Sequence, residues 1–462
     1  MKLKRILSLS FVVLLGISVI GCGNGTGNAQ SDTGNVPETG SETEAGTDSQ
    51  DTSEAVETGD PVELTLMAWD GGTGEAAEVI IHEIIDDFNK EYEGRIKILP
   101  EYLPSEETKT KLPTLMAANS APDMFMSWSA GYLEPYVTAG KVYSLQEALD
   151  NDSEWKSMFI DGIMDQVTYD GQICAIPTVL STQVAYYNKE IYDKFNLPIP
   201  KTHEEYIEGL KIIRDSGEDI IPMAFGNSTA WPSASHSEIL ANRIGGNDPF
   251  NKALDGSGTW TDESFIKAAT LLQEMVEEKL VPDGYAGMTP EEAVEQFKSG
   301  KAASFIWSSY CISNFEAEDS AIKDKTILAK CPTVENGRGD ENNWLGQADK
   351  CLVISERCEN KEAAVTFLKY YTQTRYMQKM ADAGTLTTIK AENLDMSNVG
   401  PIAGQIMQLH SDMTGLFVFY DVVLGSVVGN EYNNTVQGIM AGDDAQEAFE
   451  NFQQFFEDNY NK

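Results

Sequence analysis

Histidine is scarce in this sequence, and cysteine does not occur in the spacing of a metal site. The four histidines, His82, His203, His236 and His410, are widely separated, so we expect no histidine-based catalytic triad and no metal centre. No Cys-x-x-Cys pair or Cys/His cluster indicates zinc. Carboxylates are too numerous for counting to exclude a glycosidase pair, but the sequence singles out no such pair. We therefore expect no cofactor and no enzymatic activity.

Basic residues are few as well. The sequence has 33 Lys and Arg against 73 Asp and Glu, which gives a formal net charge of -40. Binding to nucleic acid depends on Lys and Arg, and anionic lipid attracts basic segments. We therefore expect the protein to bind no nucleic acid and to be repelled from an anionic membrane surface. The hydrophobic fraction of 41% is nevertheless that of a globular protein, and 462 residues are enough for two or three domains.

The N-terminus has the layout of a secretory signal. Lys2, Lys4 and Arg5 precede an apolar run over 6–20, and a Val-Ile-Gly-Cys segment ends at Cys22. A basic start, a short apolar run and a small residue at the end are typical of an export signal, and the run is short for a membrane span. The last four residues resemble a bacterial lipobox. This resemblance implies that residues 1–22 are a lipoprotein signal peptide and that Cys22 is diacylated.

Residues 23–60 are predicted to be a disordered acidic tether. They contain Gly, Ser, Thr, Asn, Asp and Glu, with no aromatic residue and no Lys or Arg. Such a segment cannot bury enough apolar surface to offset the entropy lost on ordering.

Five cysteines remain besides Cys22, so they cannot all pair with one another. Three of them, Cys174, Cys311 and Cys351, lie in apolar runs and are expected to be buried. A disulfide between Cys331 and either Cys351 or Cys358 remains an alternative, because an exported protein can be oxidised.

The rest of the chain reads as an α/β fold. Alternating apolar residues predict a strand over 62–69, helical spacing predicts a helix to about residue 93, and a second strand is expected over 95–100. Capping boxes are expected at Ser144–Glu147, Thr202–Glu205 and Thr289–Glu292. There is no internal repeat and no linker rich in Gly or Pro. Two interleaved lobes fit this pattern better than separate consecutive domains.

Several sequence blocks, taken in order, resemble one family. They are LTLMAWDGG, KLPTLMAANSAPDMFMSW, GQICAIPTV, YYNKEIYDKFNLPIPKTHEEY, FKSGKAASF and KEAAVTFLKYY. Together they are similar to extracellular solute-binding proteins, family 1, of ABC importers, a group that includes maltose- and multiple-sugar-binding lipoproteins. One departure is Thr385-Leu386-Thr387-Thr388, where many members carry Leu-Pro. This departure puts the shape of the last crossover in doubt.

The resemblance implies a fold and a function. The fold is the two-lobed, type II periplasmic-binding-protein-like α/β fold, in which each lobe is a sheet flanked by helices and three crossovers join the lobes. Lobe one is expected to comprise 61–179 with 346–385, and lobe two 180–345 with 386–462. The implied function is that of a monomeric, lipid-anchored protein on the extracellular face of the cell membrane. It would capture a mono- or oligosaccharide in the cleft and deliver it to the permease subunits.

A sugar site needs exposed aromatic faces and paired hydrogen-bonding groups. Because ligands bind at the carboxyl ends of strands in α/β sheets, tryptophans at strand ends and in polar loops are the candidates for stacking: Trp69, Trp128, Trp231, Trp307 and Trp344. The candidate hydroxyl acceptors are Asp70 and Asp349, and Thr182 and Gln183 are candidate donors. Tyr420 is a candidate for closing the cleft, with core packing an equal alternative.

Two further tryptophans, Trp155 and Trp260, are expected to be structural. The alternative ligand class is a non-sugar solute such as a polyamine or a peptide. A polyamine would suit the acidity and the aromatic residues, but the family blocks favour a sugar.

Overall fold

In the computed structural model the described residues are 61–72, 75–160 and 162–460. The expected signal peptide, Cys22 and the tether all lie outside these ranges. Within them, no helix combines the length and the apolar character needed to cross a bilayer.

The described residues alternate between strands and helices. The strands are β1 (Val62–Trp69), β2 (Ile96–Leu103), β3 (Met124–Ser127), β4 (Thr168–Tyr169), β5 (Gln172–Ile173), β6 (Val179–Asn188), β7 (Ile221–Met223), β8 (Ala302–Ser308), β9 (Thr326–Ala329), β10 (Asn343–Asp349), β11 (Cys351–Ile354) and β12 (Gly415–Phe417). The helices are α1 (Ala76–Glu91), α2 (Ser105–Ala117), α3 (Glu134–Thr138), α4 (Gln146–Asp150), α5 (Ser153–Ser157), α6 (Lys189–Lys194), α7 (His203–Asp215), α8 (Trp231–Gly245), α9 (Asp248–Asp255), α10 (Glu263–Glu277), α11 (Pro290–Lys298), α12 (Ile312–Glu316), α13 (Lys361–Tyr371), α14 (Thr374–Asp382), α15 (Pro401–Leu409), α16 (Tyr420–Met440) and α17 (Ala445–Asn459).

The first sheet has the strand order β11-β3-β1-β2. Strand β1 is parallel to β2 and β3, whereas β11 is antiparallel to β3. The predicted opening strand–helix–strand unit is confirmed, although the helix ends at Glu91 and the second strand runs from Ile96 to Leu103. Since β1 and β3 are parallel, their carboxyl ends lie at one edge of the sheet, where Trp69 ends β1 and Trp128 follows β3.

The second sheet has the order β12-β10-β6-β8-β7, and β9 also pairs with β6. Strand β6 is the centre of this sheet and is buried along its whole length, with β10 paired to its first half and β8 and β9 to its second. It is antiparallel to all three. In this register Gln347 of β10 lies opposite Ser181, and Ser308 of β8 lies opposite Gln183.

Three crossovers connect the two sheets, as the two-lobed fold requires, and hydrogen bonds join them to one another. The Thr178 hydroxyl donates to the Lys350 carbonyl at 2.8 Å, which links the first crossover to the second. The Thr388 hydroxyl donates to the Pro177 carbonyl at 2.6 Å. The Leu180 amide donates to the Leu386 carbonyl at 2.7 Å, so the third crossover runs beside the first.

Two of the three expected capping boxes are present. Thr202 with Glu205 and Thr289 with Glu292 exchange both hydrogen bonds of the motif. The box at Ser144 is wrong, because Leu145 and not Ser144 is the residue that precedes α4. The Ser144 hydroxyl accepts from the Gln146 amide at 3.3 Å rather than from Glu147, and the Leu145 amide donates to the Ile173 carbonyl at 2.7 Å.

The cysteines of the described residues are all buried free thiols: Cys174, Cys311, Cys331, Cys351 and Cys358. The expected burial of Cys174, Cys311 and Cys351 is confirmed. The possible disulfide from Cys331 to Cys351 or Cys358 is not formed.

Candidate ligand-binding site

A cavity of about 320 Å³ lies between the two sheets. On the side of the first sheet it is lined by Trp69, Trp128 and the start of α1. On the other side it is lined by β6, β8 and β10 and by the first turns of α8, α11 and α16. Strand ends and helix starts therefore surround the same space, which is the usual position of a ligand site in open α/β sheets.

Aromatic rings form two opposite parts of the lining. The ring centroids of Trp69 and Trp128 are 4.3 Å apart, with an angle of 38° between the planes. On the opposite side the partly exposed Trp231 packs against Trp307, with the centroids 4.8 Å apart. The cavity thus presents indole rings from both lobes, and such rings can stack against the C–H faces of a bound molecule.

The floor of the cavity is polar, because β6, β8 and β10 each direct polar side chains into it: Ser181, Gln183, Ser308 and Gln347. The Ser181 and Ser308 hydroxyls are 2.5 Å apart and hydrogen-bonded. The amide of Gln183 is different, since neither its nitrogen nor its oxygen has a hydrogen-bond partner within the described residues.

Other buried polar atoms of the lining also lack a hydrogen-bond partner in the described part of the chain: Trp69 Nε1, Thr229 Oγ1, Glu238 Oε2, Gln347 Oε1 and Asn433 Oδ1. Buried polar groups in proteins are nearly always paired, so several unpaired groups around one cavity need an explanation. A ligand rich in hydroxyl groups would pair with them.

A buried ion pair lies at the edge of the cavity where the second crossover passes. The Lys350 ammonium lies 3.3 Å from Glu75 Oε2 and 3.9 Å from Glu78 Oε1. Burial raises the pKa of Glu75 to about 7, although Lys350 acts in the opposite direction. Burial lowers the pKa of Lys350, but Glu75, Asp349 and Glu78 together hold it above its usual range. The lysine therefore stays charged.

Two more carboxyl groups of the lining lie where α8 packs against α16. Glu238 lies on α8 and Asp421 in the first turn of α16, and Asn433 Nδ2 donates to Asp421 Oδ2 at 2.9 Å. Burial raises the pKa of both carboxyl groups, and the negative charge of Asp421 raises that of Glu238 further. These groups favour a neighbour that donates hydrogen bonds.

Four of the residues chosen from the sequence line the cavity: Trp69, Trp128, Trp231 and Asp349. Burial raises the pKa of Asp349, whose Oδ1 accepts from the Lys350 amide at 2.8 Å. Gln183, named beside Thr182 as a candidate donor, also lines the cavity.

The other five candidates lie outside the lining. Thr182 lies between Ser181 and Gln183 on β6, and Trp344 lies three residues before Gln347 on β10. Both side chains therefore project from the opposite face of the sheet, towards His410. Trp307 is fully buried behind Trp231, and its Nε1 donates to the Tyr310 hydroxyl at 2.9 Å. Tyr310 itself lines the cavity.

The last two candidates outside the lining are Asp70 and Tyr420. Asp70 accepts from the Gly72 amide at 2.7 Å and lies 2.7 Å from His82 Nε2, whose ring stacks on Tyr102. Partial burial raises the pKa of Asp70, but the hydrogen bonds from His82 and from the Gly72 amide, together with nearby positive charge, lower it below its ordinary value. Tyr420 is packed in the core with its ring stacked on Phe250, at a centroid distance of 4.0 Å.

Several residues of the lining were not predicted from the sequence: Glu75, Glu238, Gln347, Lys350 and Asp421. Gln347 was accessible to sequence reasoning, because it precedes Asp349 by two residues and must share its face of a strand. Glu238 was not, since almost every residue of α8 is buried and the helix has no polar face to indicate a direction.

Comparison with known proteins gives relatives among transport proteins. The chain is 26% identical over 216 residues to an uncharacterized ABC transporter extracellular-binding protein of Pyrococcus horikoshii, covering 46% of this chain and 47% of that protein. It is 26% identical over 292 residues to the galactooligosaccharide-binding protein of Bacillus subtilis strain 168, covering 62% and 63%. The matches therefore span less than two thirds of these two relatives.

A solved structure covers more of the chain. It comes from work on xylan utilization by the thermophilic bacterium Caldanaerobius polysaccharolyticus and is 31% identical, with a TM-score of 0.79 over 85% of this chain and 100% of that one. In addition, residues 72–378 match the sequence model of the bacterial extracellular solute-binding proteins. This match covers more than half of the sequence and includes the positions of Trp128, Gln183, Trp231 and Lys350. The chain belongs to the bacterial extracellular solute-binding protein family.

Proposed function

We propose that this protein is the substrate-binding component of an ABC importer and that it captures a mono- or oligosaccharide in the cavity between its lobes. The observation that carries the proposal is the combination of indole rings from both lobes with unpaired buried polar atoms around one cavity. A pyranose has apolar C–H faces and a rim of hydroxyls, so it matches both features at once.

The relatives support a carbohydrate rather than another solute. One is named for galactooligosaccharides, and the similar solved structure belongs to work on xylan. Oligosaccharides built on galactose or xylose are therefore the first ligands to test. A polyamine or a peptide is the alternative, and it remains an outcome of the same experiment.

We propose that the lobes close around the ligand and that the crossovers are the hinge. The lobes inferred from the sequence are 61–179 with 346–385 and 180–345 with 386–462. Because β10 runs to Asp349 and pairs with β6 in the second sheet, we propose to move the boundary at 346 to Lys350. Closure would then bring Trp69 and Trp128 towards Trp231, as expected for two-lobed binding proteins.

We further propose that the mature protein is a monomer anchored by lipid on Cys22 to the extracellular face of the cell membrane. The tether over 23–60 would let the lobes reach the permease subunits, to which the ligand is delivered. Two acyl chains are the usual requirement for stable anchoring. No catalytic step is part of this function.

A ligand screen tests the proposal. Thermal shift and small-angle scattering would be recorded on residues 61–462 with sugars, polyamines and peptides. We expect at least one mono- or oligosaccharide to raise the thermal midpoint and to reduce the radius of gyration. A response to polyamines or peptides, with none to any sugar, would contradict the proposal.

A further inference from the structure

The lining of the cavity carries far more negative than positive charge. Seven carboxyl side chains stand against two lysines, Lys109 and Lys350. Both ammonium groups are already paired, Lys109 with Glu106 Oε1 at 2.9 Å and Lys350 with Glu75 Oε2 at 3.3 Å. Among the described residues of the lining, no cation is therefore left over to receive a negatively charged ligand.

The unpaired polar atoms of the lining also favour a ligand without negative charge. Of the buried lining atoms without a partner in the described residues, only Trp69 Nε1 and Gln183 Nε2 are pure donors. Thr229 Oγ1 both donates and accepts, and the oxygens of Gln183, Gln347, Glu238 and Asn433 offer acceptors. Among these side-chain atoms acceptors outnumber donors, so they favour a ligand group that can donate, such as a hydroxyl or an ammonium group, over an ionised carboxylate, which can only accept.

The acceptors are concentrated where α8 meets α16. Glu238 is 1% exposed, its Oε2 has no partner among the described residues, and its carboxyl group already accepts a backbone hydrogen bond from Tyr420. Asp421 is 8% exposed and Asn433 is 4% exposed, with Asn433 Oδ1 unpaired within the described chain. We call Glu238, Asp421 and Asn433 the acceptor corner.

We propose that the acceptor corner makes this protein selective against anionic sugars, and that Glu238 is the residue that determines this selectivity. The inference rests on the proposed function and specifies the class of sugar: neutral or amino-bearing rings bind, whereas uronates do not. A ligand carboxylate at this corner would lose its hydration against two carboxyl groups and an amide oxygen, none of which carries a positive charge to pair with it, and burying an unpaired charge is costly. A hydroxyl at the same position donates to Glu238 Oε2.

The experiment is calorimetric titration of residues 61–462 with matched trisaccharides. The probes are neutral oligomers of glucose, galactose and mannose, the corresponding glucuronate, galacturonate and mannuronate oligomers, and a glucosamine oligomer. We expect at least one neutral or amino oligomer to bind. We also expect each uronate to bind about a hundredfold more weakly than its neutral counterpart, because the added charge is buried in the cavity without a free cation to pair with it.

Three variants test whether the acceptor corner causes the difference in affinity between neutral sugars and uronates. Glu238→Gln keeps the size of the side chain and replaces one carboxyl oxygen with an amide NH2 donor, which can pair with a ligand carboxylate. The ratio of neutral to uronate affinity should therefore fall at least about tenfold. Glu291→Gln, an exposed lining residue on α11, should reduce the ratio less and provides a second test if Glu238→Gln does not fold. Glu359→Gln, an exposed residue outside the lining, is the matched control and should leave the ratio unchanged.

The outcomes separate this inference from the proposed function. A uronate that binds as tightly as its neutral counterpart, or a ratio unchanged in both lining variants, would overturn the inference alone. Silence towards all of these probes and towards every sugar of the ligand screen, xylose oligomers included, would overturn the proposed function and the inference with it.

Discussion

The ammonium of Lys350 lies 3.3 Å from Oε2 of Glu75, so the single residue between β10 and β11 is tied through its side chain to the start of α1. Lys350 has a φ of 49°, in the left-handed region that non-glycine residues rarely adopt. Its carbonyl also accepts from Thr178. One residue thus joins two strands of different sheets, two crossovers and one wall of the cavity.

Replacing Lys350 with methionine is expected to destabilise the protein. The change leaves Glu75 and Glu78 buried without their cation, and removing one partner of a buried ion pair costs about 3 kcal/mol or more. Denaturation at pH 8 would measure the change in the free energy of unfolding. Lys301→Met, at an exposed lysine, is the control and should change little. Equal stability of the two variants would show that the ion pair does not support the fold.

The raised pKa of Glu75 predicts how stability depends on pH. Its folded-state pKa is about 7, against an ordinary value of 4.5, so the folded protein holds this proton more tightly than the unfolded chain. The stability from this group is therefore complete below about pH 4.5 and is lost as the pH rises through about 7.

Glu75→Gln should flatten the fall in thermal midpoint between pH 5 and pH 8, whereas Glu93→Gln, an exposed control, should keep it. Some slope should remain, because burial also raises the pKa of Glu238 and Asp421. An identical slope in all three proteins would contradict the prediction.

The tryptophans of the cavity should affect binding and stability differently from a core tryptophan. Trp128 and Trp231 are only partly buried, so replacing either with alanine should weaken binding of the sugar found in the screen at least about tenfold. The thermal midpoint should change little. Trp155 is 5% exposed, and its Nε1 donates to Thr372 Oγ1 at 2.8 Å.

Trp155→Ala should lower stability by about 3–5 kcal/mol and leave affinity unchanged. Calorimetry and thermal denaturation of the three variants would separate the two effects. If all three lose affinity equally, the assignment of the stacking rings is wrong.

Replacing Gln183 with leucine should stabilise the protein but weaken sugar binding. Both polar atoms of its side chain are buried without a partner in the described residues, which costs about 1–3 kcal/mol. Gln183→Leu should therefore raise the thermal midpoint while weakening sugar binding at least about tenfold.

Gln166→Leu is the matched control, because Gln166 Oε1 accepts from the Ala348 amide at 2.9 Å and lies outside the lining. This variant should lower the midpoint and keep the affinity. A lower midpoint for Gln183→Leu would mean that the amide is already satisfied in the free protein.

Cys22→Ser tests the lipid anchor directly. If Cys22 is acylated, the full-length wild-type protein should sediment with membranes and incorporate labelled palmitate, and the variant should do neither. Cys174→Ser is the control, because this cysteine is buried in the fold and should carry no lipid. Label on the Cys22→Ser protein would contradict the predicted anchor.

More of the fold than of the site could be predicted from the sequence. Strand β1 alternates apolar and polar residues and ends in a tryptophan, so both its bounds and the position of Trp69 in the cavity followed from its pattern. Strand β6 shows no alternation, because all of its residues are buried. The sequence therefore pointed to Gln183 and Thr182 alike and did not indicate Ser181, although Ser181 and Gln183 line the cavity and Thr182 does not.

Lys350 shows a second kind of limit. A lone lysine between two apolar strands resembles a solvated turn residue, and its partners Glu75 and Glu78 lie more than 270 positions away in the chain. Only the three-dimensional arrangement of the crossovers brings these charges together.

The five buried thiols have a consequence for biogenesis. Burial raises the pKa of the Cys311 and Cys351 thiols, which keeps them protonated and poorly nucleophilic. The fold of the described residues thus depends on packing and hydrogen bonds rather than on oxidation. A chain emerging from the export machinery would need neither a thiol oxidase nor a disulfide isomerase to reach this structure, and reducing surroundings would leave it intact.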